Sequence, residues 1–164
     1  MFELIGRYFW VLGIGLNALF ACGIGSRVAS VEARDAVGGA AKLQSARSRV
    51  YGVMTVPWAV MGVGQVVGGV PNIWSFFRPQ ELNPYVWSWY VTSFLLSCGF
   101  AYWVLARDGS KYVLALNLVR VSGFNGEVQV SESGVRIIAV LAPLFTVVWV
   151  LLLWLVDIPA VALQ

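Results

Sequence analysis

Four stretches without a charged residue dominate this chain. Arg7 to Arg27 encloses 19 uncharged residues, Arg49 to Arg78 encloses 28, Glu81 to Arg107 encloses 25, and Arg136 to Asp157 encloses 20. A helix needs about 20 apolar residues to cross the ~30 Å hydrocarbon layer of a bilayer. In lipid it must also close its own backbone hydrogen bonds. The pattern predicts an all-α integral membrane protein, a single domain over 1–164 with four transmembrane helices near 6–26, 50–72, 84–106 and 136–156. A transmembrane β-barrel would alternate in segments of about ten residues instead. Composition agrees, since 59% of the 164 residues are hydrophobic and 12% charged. That balance excludes an ordinary soluble enzyme, a disordered chain, a disulfide scaffold and a nucleic-acid-binding module.

Orientation follows from lysine and arginine. The segments 27–49 and 107–136 carry Arg27, Arg34, Lys42, Arg47, Arg49, Arg107, Lys111, Arg120 and Arg136, nine of the 11 basic residues. Positive charge is retained in the cytoplasm, so both segments are expected as cytoplasmic loops, with both termini outside. Aromatic side chains fit the same placement: Trp10, Trp74, Tyr85, Trp87 and Trp154 fall near the outer interface, and Tyr51, Tyr102 and Trp103 near the inner one. The run Leu19-Phe20-Ala21-Cys22 resembles a lipoprotein processing site loosely. Cleavage there would carry the basic residues of 27–49 outside, so the segment reads as a retained first helix.

Inside the expected spans, small residues mark packing faces. Gly64 and Gly68 form a small-xxx-small pair that needs a close neighbour. Such a face serves either a dimer interface or packing within the chain, and packing within the chain is the expectation for a bundle. Asn17, Gln65 and Thr92 are polar groups at depth. They either clamp helices together or line a polar path, and the clamp is the expected role. Pro57 and Pro143 interrupt helical hydrogen bonding within their spans.

The usual chemistry of a membrane enzyme is missing from the sequence. It has no histidine, which removes the commonest metal ligand and proton shuttle. Apart from Arg7 and Arg136 at span ends, no Asp, Glu, Lys or Arg falls within an expected span, which disfavours ion-coupled transport. Cys22 and Cys98 are isolated and form no Cys-x-x-Cys, so they are expected as buried packing thiols. No catalytic residue, metal site or cofactor is expected.

Two soluble stretches remain. Residues 28–37 suit an amphipathic helix broken at Gly38-Gly39, with Lys42, Arg47 and Arg49 contacting anionic headgroups. Val119 to Val130 reads as a small cytoplasmic β-hairpin between helices three and four, turning at Ser122-Gly123-Phe124-Asn125-Gly126. A lone hairpin is marginal in water, so it is expected to lean on another segment or a partner. The stretch from Trp58 to Trp103, with Gly68-Gly69-Val70-Pro71 and Asn83-Pro84-Tyr85, resembles bacterial membrane proteins. That resemblance implies no particular activity, and the expected location is the bacterial inner (plasma) membrane.

These readings converge on a non-enzymatic accessory or scaffold subunit. Its expected partners are the lipid bilayer and other membrane subunits or copies of itself, with no nucleic acid. A passive oligomeric channel or small-molecule transporter, with Asn17, Gln65 and Thr92 along its path, is the alternative.

Overall fold

Short polar and glycine-bearing segments set the helix ends. The computed structural model describes residues 2–22, 35, 37–116, 118, 121–123, 126–128 and 130–156. Helix α1 spans Phe2–Ala21, and α2 spans Ala40–Val66. Gly38 and Gly39, at φ +84° and +101°, adopt backbone that a side chain would disfavour, and α2 starts directly after them. Two 3₁₀ turns, Ile73–Phe77 and Pro79–Glu81, lead to α3, Pro84–Ala106. The Asn83 side chain accepts from the Tyr85 N–H at 2.9 Å, and Pro84 occupies the first helical position, where it forfeits no helical bond. Asp108, at φ +54°, turns the chain into α4, Gly109–Ala115. Helix α5 spans Glu132–Leu155, capped by Ser131 Oγ, which accepts from the Gly134 N–H at 3.1 Å.

This architecture corrects the expected fold class in three respects. Among the described residues two helices, α3 and α5, and not four, are long and apolar enough to cross a membrane. The apolar run of α1, Ile5–Ala21, is shorter. Helix α2 carries Lys42, Arg47 and Arg49 in its first three turns and stops at Val66, so its apolar part is diluted. Secondly, residues 40–49 are helix and not loop, because Ala40-Ala41-Lys42-Leu43-Gln44 favours helix whatever its charge. Thirdly, the fold is helical and no β-hairpin layer forms. Among the described residues, backbone pairing joins three residues a side, Val121–Gly123 against Gly126–Val128, with Gly123 opposite Gly126. Glycine weakens a strand, and a pair this short cannot stand alone. The turn residues Phe124 and Asn125, and the amphipathic stretch 28–34, lie outside the described residues. Cys22, expected buried, is exposed.

Helix α1 packs along α2, α2 against α3, and α3 along α5. The α1–α2 contact is reciprocal. The Trp58 indole of α2 lies over Gly13 of α1, and the Trp10 indole of α1 lies over Gly62 of α2. Each glycine leaves the room its partner's ring fills, so the backbones can approach closely.

Burial is concentrated at the two ends of the helices. At one end Met61, Val70, Phe76, Val86, Tyr90 and Leu153 form a cluster with Trp10, Trp58 and Trp89 packed against it. Phe76 is fully buried, and its carbonyl accepts from the Tyr90 hydroxyl at 2.5 Å. Trp87 Nε1 donates to the Pro79 carbonyl at 3.2 Å. Gln80 Nε2 donates to the carbonyls of Leu153, Trp154 and Val156 at 2.6, 3.1 and 3.1 Å. It thereby satisfies carbonyls that the end of α5 leaves without a helical donor. At the other end Leu43 meets Ala115 and Leu116, while Val104, Val113, Val135 and Ala139 join α3, α4 and α5. Between the ends the helices bury little. No residue is buried in α2 between Leu43 and Met61, in α3 between Tyr90 and Val104, or in α5 between Ala139 and Leu153.

Candidate functional site

The residues singled out from sequence do not converge on one site. Gly64 and Gly68 face their own chain: a Cβ on Gly64 would lie 3.1 Å from the Phe76 ring and 3.2 Å from Tyr85, and one on Gly68 would overlap the Tyr85 ring. Gln65 Nε2 donates to the Gly6 carbonyl at 3.3 Å, tying the end of α2 to the start of α1. Asn17 lies eleven residues further along α1, about 16 Å at 1.5 Å per residue. Its Nδ2 is buried without a hydrogen-bond partner among the described residues. Thr92 sits half-buried on α3. Two amides separated by this distance, one of them spent on a backbone carbonyl, do not make a shared polar ring.

That difference between the amides yields a test. Gln65→Leu is expected to cost about 0.6–2 kcal/mol, the worth of an interhelical hydrogen bond in a membrane protein. Asn17→Leu is expected to be neutral or stabilising, because it removes a buried donor that bonds nothing. Unfolding both variants in mixed micelles measures the contrast directly, and equal losses would contradict it.

A half-open groove of about 1060 Å³ lies elsewhere, between α2 and α3. Ligand pockets commonly enclose ~300–1,000 Å³, so this one is large. The helices run antiparallel, which sets the first turns of α2 beside the last turn of α3. Lys42 and Arg49 from α2 and Arg107, the C-cap of α3, therefore line the same half of the groove. Val50, Val53, Met54 and Pro57 continue along α2, opposite Phe100, Leu96 and Ser93 of α3. Trp103 and Tyr112 stand at the cationic end, with ring centroids 6.1 Å apart. Ala142 of α5 also lines it.

The electrostatics of the groove are one-sided. No carboxylate lines it among the described residues. Ion pairs among the described residues join Arg78 to Glu81, Lys111 to Asp108 and Arg136 to Glu132, and none engages Lys42, Arg49 or Arg107. The groove's serines are committed locally: Ser93 donates to the Trp89 carbonyl at 2.8 Å and Ser97 to the Phe94 carbonyl at 2.7 Å. Chemically, the arrangement can take an anion at one end and an apolar chain along its length. No group of three or more His, Cys, Asp or Glu side chains gathers to hold a metal among the described residues.

The sequence reading missed the groove because it ended the soluble loop at residue 49. Once 40–49 is helical, Lys42, Ala46, Arg49, Val53 and Pro57 fall at spacings of three and four, one face of one helix. Compared with protein-family models, with curated proteins and with solved structures, the chain matches none.

Proposed function

We propose that this chain is a non-enzymatic integral membrane protein, an accessory or scaffold subunit of a larger membrane complex or of a homo-oligomer. Helices α3 and α5 are its spanning pair, and the segment between them, with Arg107, Lys111 and Arg136, faces the cytoplasm. The start of α3 and the end of α5 then lie outside, in the inner (plasma) membrane of a bacterium. Support for the membrane comes from the outward face of α5, where Ile137, Leu141, Leu144, Phe145, Val148 and Leu152 are all exposed. In water that wall would far exceed the apolar patches a soluble monomer tolerates.

One observation carries the non-catalytic role: polar side chains along the helices bond to backbone carbonyls. Thr55 donates to Tyr51, Ser88 to Pro84, Ser93 to Trp89 and Thr146 to Ala142, each four residues back at 2.8 to 3.0 Å. Gln44 donates to the Ala21 carbonyl at 3.1 Å, as Gln65 and Gln80 do to α1 and α5. The hydroxyls are thus satisfied within their own helices, and the three glutamines tie one element to another.

The expected result is a protein that stays in the membrane through carbonate washing and leaves mild detergent as a complex larger than its own monomer. Native electrophoresis of such extracts, with mass spectrometry of the band, measures this. Extraction by carbonate would overturn the membrane reading. Ion flux through vesicles holding the pure protein would overturn the scaffold reading.

A further inference from the structure

We propose that the groove between α2 and α3 holds one anionic phospholipid, its phosphate among Lys42, Arg49 and Arg107 and its acyl chain along Val53, Met54 and Leu96. The inference rests on the membrane reading above and adds a specific occupant.

Length is the first argument. Lys42 and Pro57 are fifteen residues apart on α2, and Ser93 and Arg107 fourteen apart on α3, so the lined length is about 21–22 Å at 1.5 Å per residue. Half a bilayer, headgroup included, measures about 20–22 Å. The groove therefore matches one leaflet from its headgroup level to its midplane.

Charge is the second argument. Three cations, Lys42 and Arg49 on α2 and Arg107 at the C-cap of α3, line the same half of the groove without an acidic partner among the described residues, and the remaining lining is apolar apart from serines that are locally bonded or small. An apolar peptide would leave the cations unsatisfied, and a small anion would leave the groove wall bare. An anionic amphiphile satisfies both. Under the proposed orientation the cationic end is cytoplasmic, on the leaflet whose anionic lipids attract basic side chains. Trp103 and Tyr112 stand beside it, at the depth where amphipathic rings settle.

Packing is the third. The groove coincides with the stretch where α2 and α3 bury nothing between Leu43 and Met61 and between Tyr90 and Val104. A chain lying there supplies contacts that the protein's own side chains do not.

The test uses the full chain reconstituted in vesicles of phosphatidylglycerol with phosphatidylcholine, followed by mild extraction and native mass spectrometry. Phosphatidylglycerol is expected to be retained at one per chain, in strong preference to phosphatidylcholine. Each of Lys42→Gln, Arg49→Gln and Arg107→Gln is expected to reduce that preference about fivefold, and the triple variant about a hundredfold. Leu96→Trp, which fills the apolar part and leaves the cations, is expected to abolish retention. Inorganic phosphate alone is expected not to displace the lipid, and displacement at millimolar phosphate would show a small-anion site instead. Equal retention of both lipids by a chain that inserts normally would overturn the groove proposal alone. Failure to insert into vesicles of either composition would overturn the membrane reading on which it rests.

Discussion

Phe76→Ala is expected to remove about 3–5 kcal/mol of unfolding free energy, the usual cost of deleting a fully buried phenylalanine. Three structural layers meet at this ring. It is fully buried in the cluster with Met61, Val86 and Leu153, stands edge-on to Trp89 at a centroid distance of 5.8 Å, and closes against Gly64. The backbone of the same residue receives the Tyr90 hydroxyl, so a cavity here also loosens the hydrogen bond that ties the 3₁₀ turn to α3. Phe77→Ala, at a half-buried neighbouring ring, supplies the comparison and is expected to cost clearly less. Titration with a denaturing detergent, read by tryptophan fluorescence, measures both. Equal losses at the two positions would show that the cap is not the cohesive end of the protein.

Gly68→Leu is expected to cost about 1–3 kcal/mol, or to prevent folding, through overpacking. Any Cβ at this position overlaps the Tyr85 ring and lies 2.7 Å from the Gly64 carbonyl oxygen, and that backbone atom cannot step aside. Tyr85 begins α3 and is positioned by the Asn83 cap, so its displacement would shift the helix start as well. Gly15→Leu makes a demanding control. Nothing lies within 4 Å of a Cβ there, so its stability should remain near that of the parent or rise with the helix propensity gained. If Gly68→Leu kept the parent's stability, the close approach of Tyr85 to α2 would be wrong.

The two helices suited to a membrane are legible in the sequence because charge is excluded from them and their starts are marked by Asn83-Pro84 and Ser131-Glu132. What failed was the treatment of charge as a loop marker. Lys42, Arg47 and Arg49 sit on good helix-forming sequence, and α2 keeps its helical hydrogen bonds through them. The hairpin reading failed for a related reason. Valines flanking a glycine-rich turn give a local preference, yet the described pairing is three residues a side with Gly123 opposite Gly126, and glycine weakens a strand. The small-residue face at Gly64 and Gly68 was visible, but its neighbours were not, since Phe76 and Tyr85 arrive through the intervening turns. A clamping role was expected of Gln65, but the partners of the glutamines were illegible. Gln44, Gln65 and Gln80 reach carbonyls 23, 59 and more than 70 residues away, and no local pattern encodes such a partner.

The distribution of burial along the helices has a mechanical meaning. Two cohesive bulkheads, one built on Phe76 and Tyr90 and the other on Val104, Val113 and Val135, are joined by helical struts that touch lightly over about 21 Å. Rigid struts between firm ends bow more readily than they separate. Each bulkhead can therefore open as its own cooperative unit, with the strut region following whichever gives first.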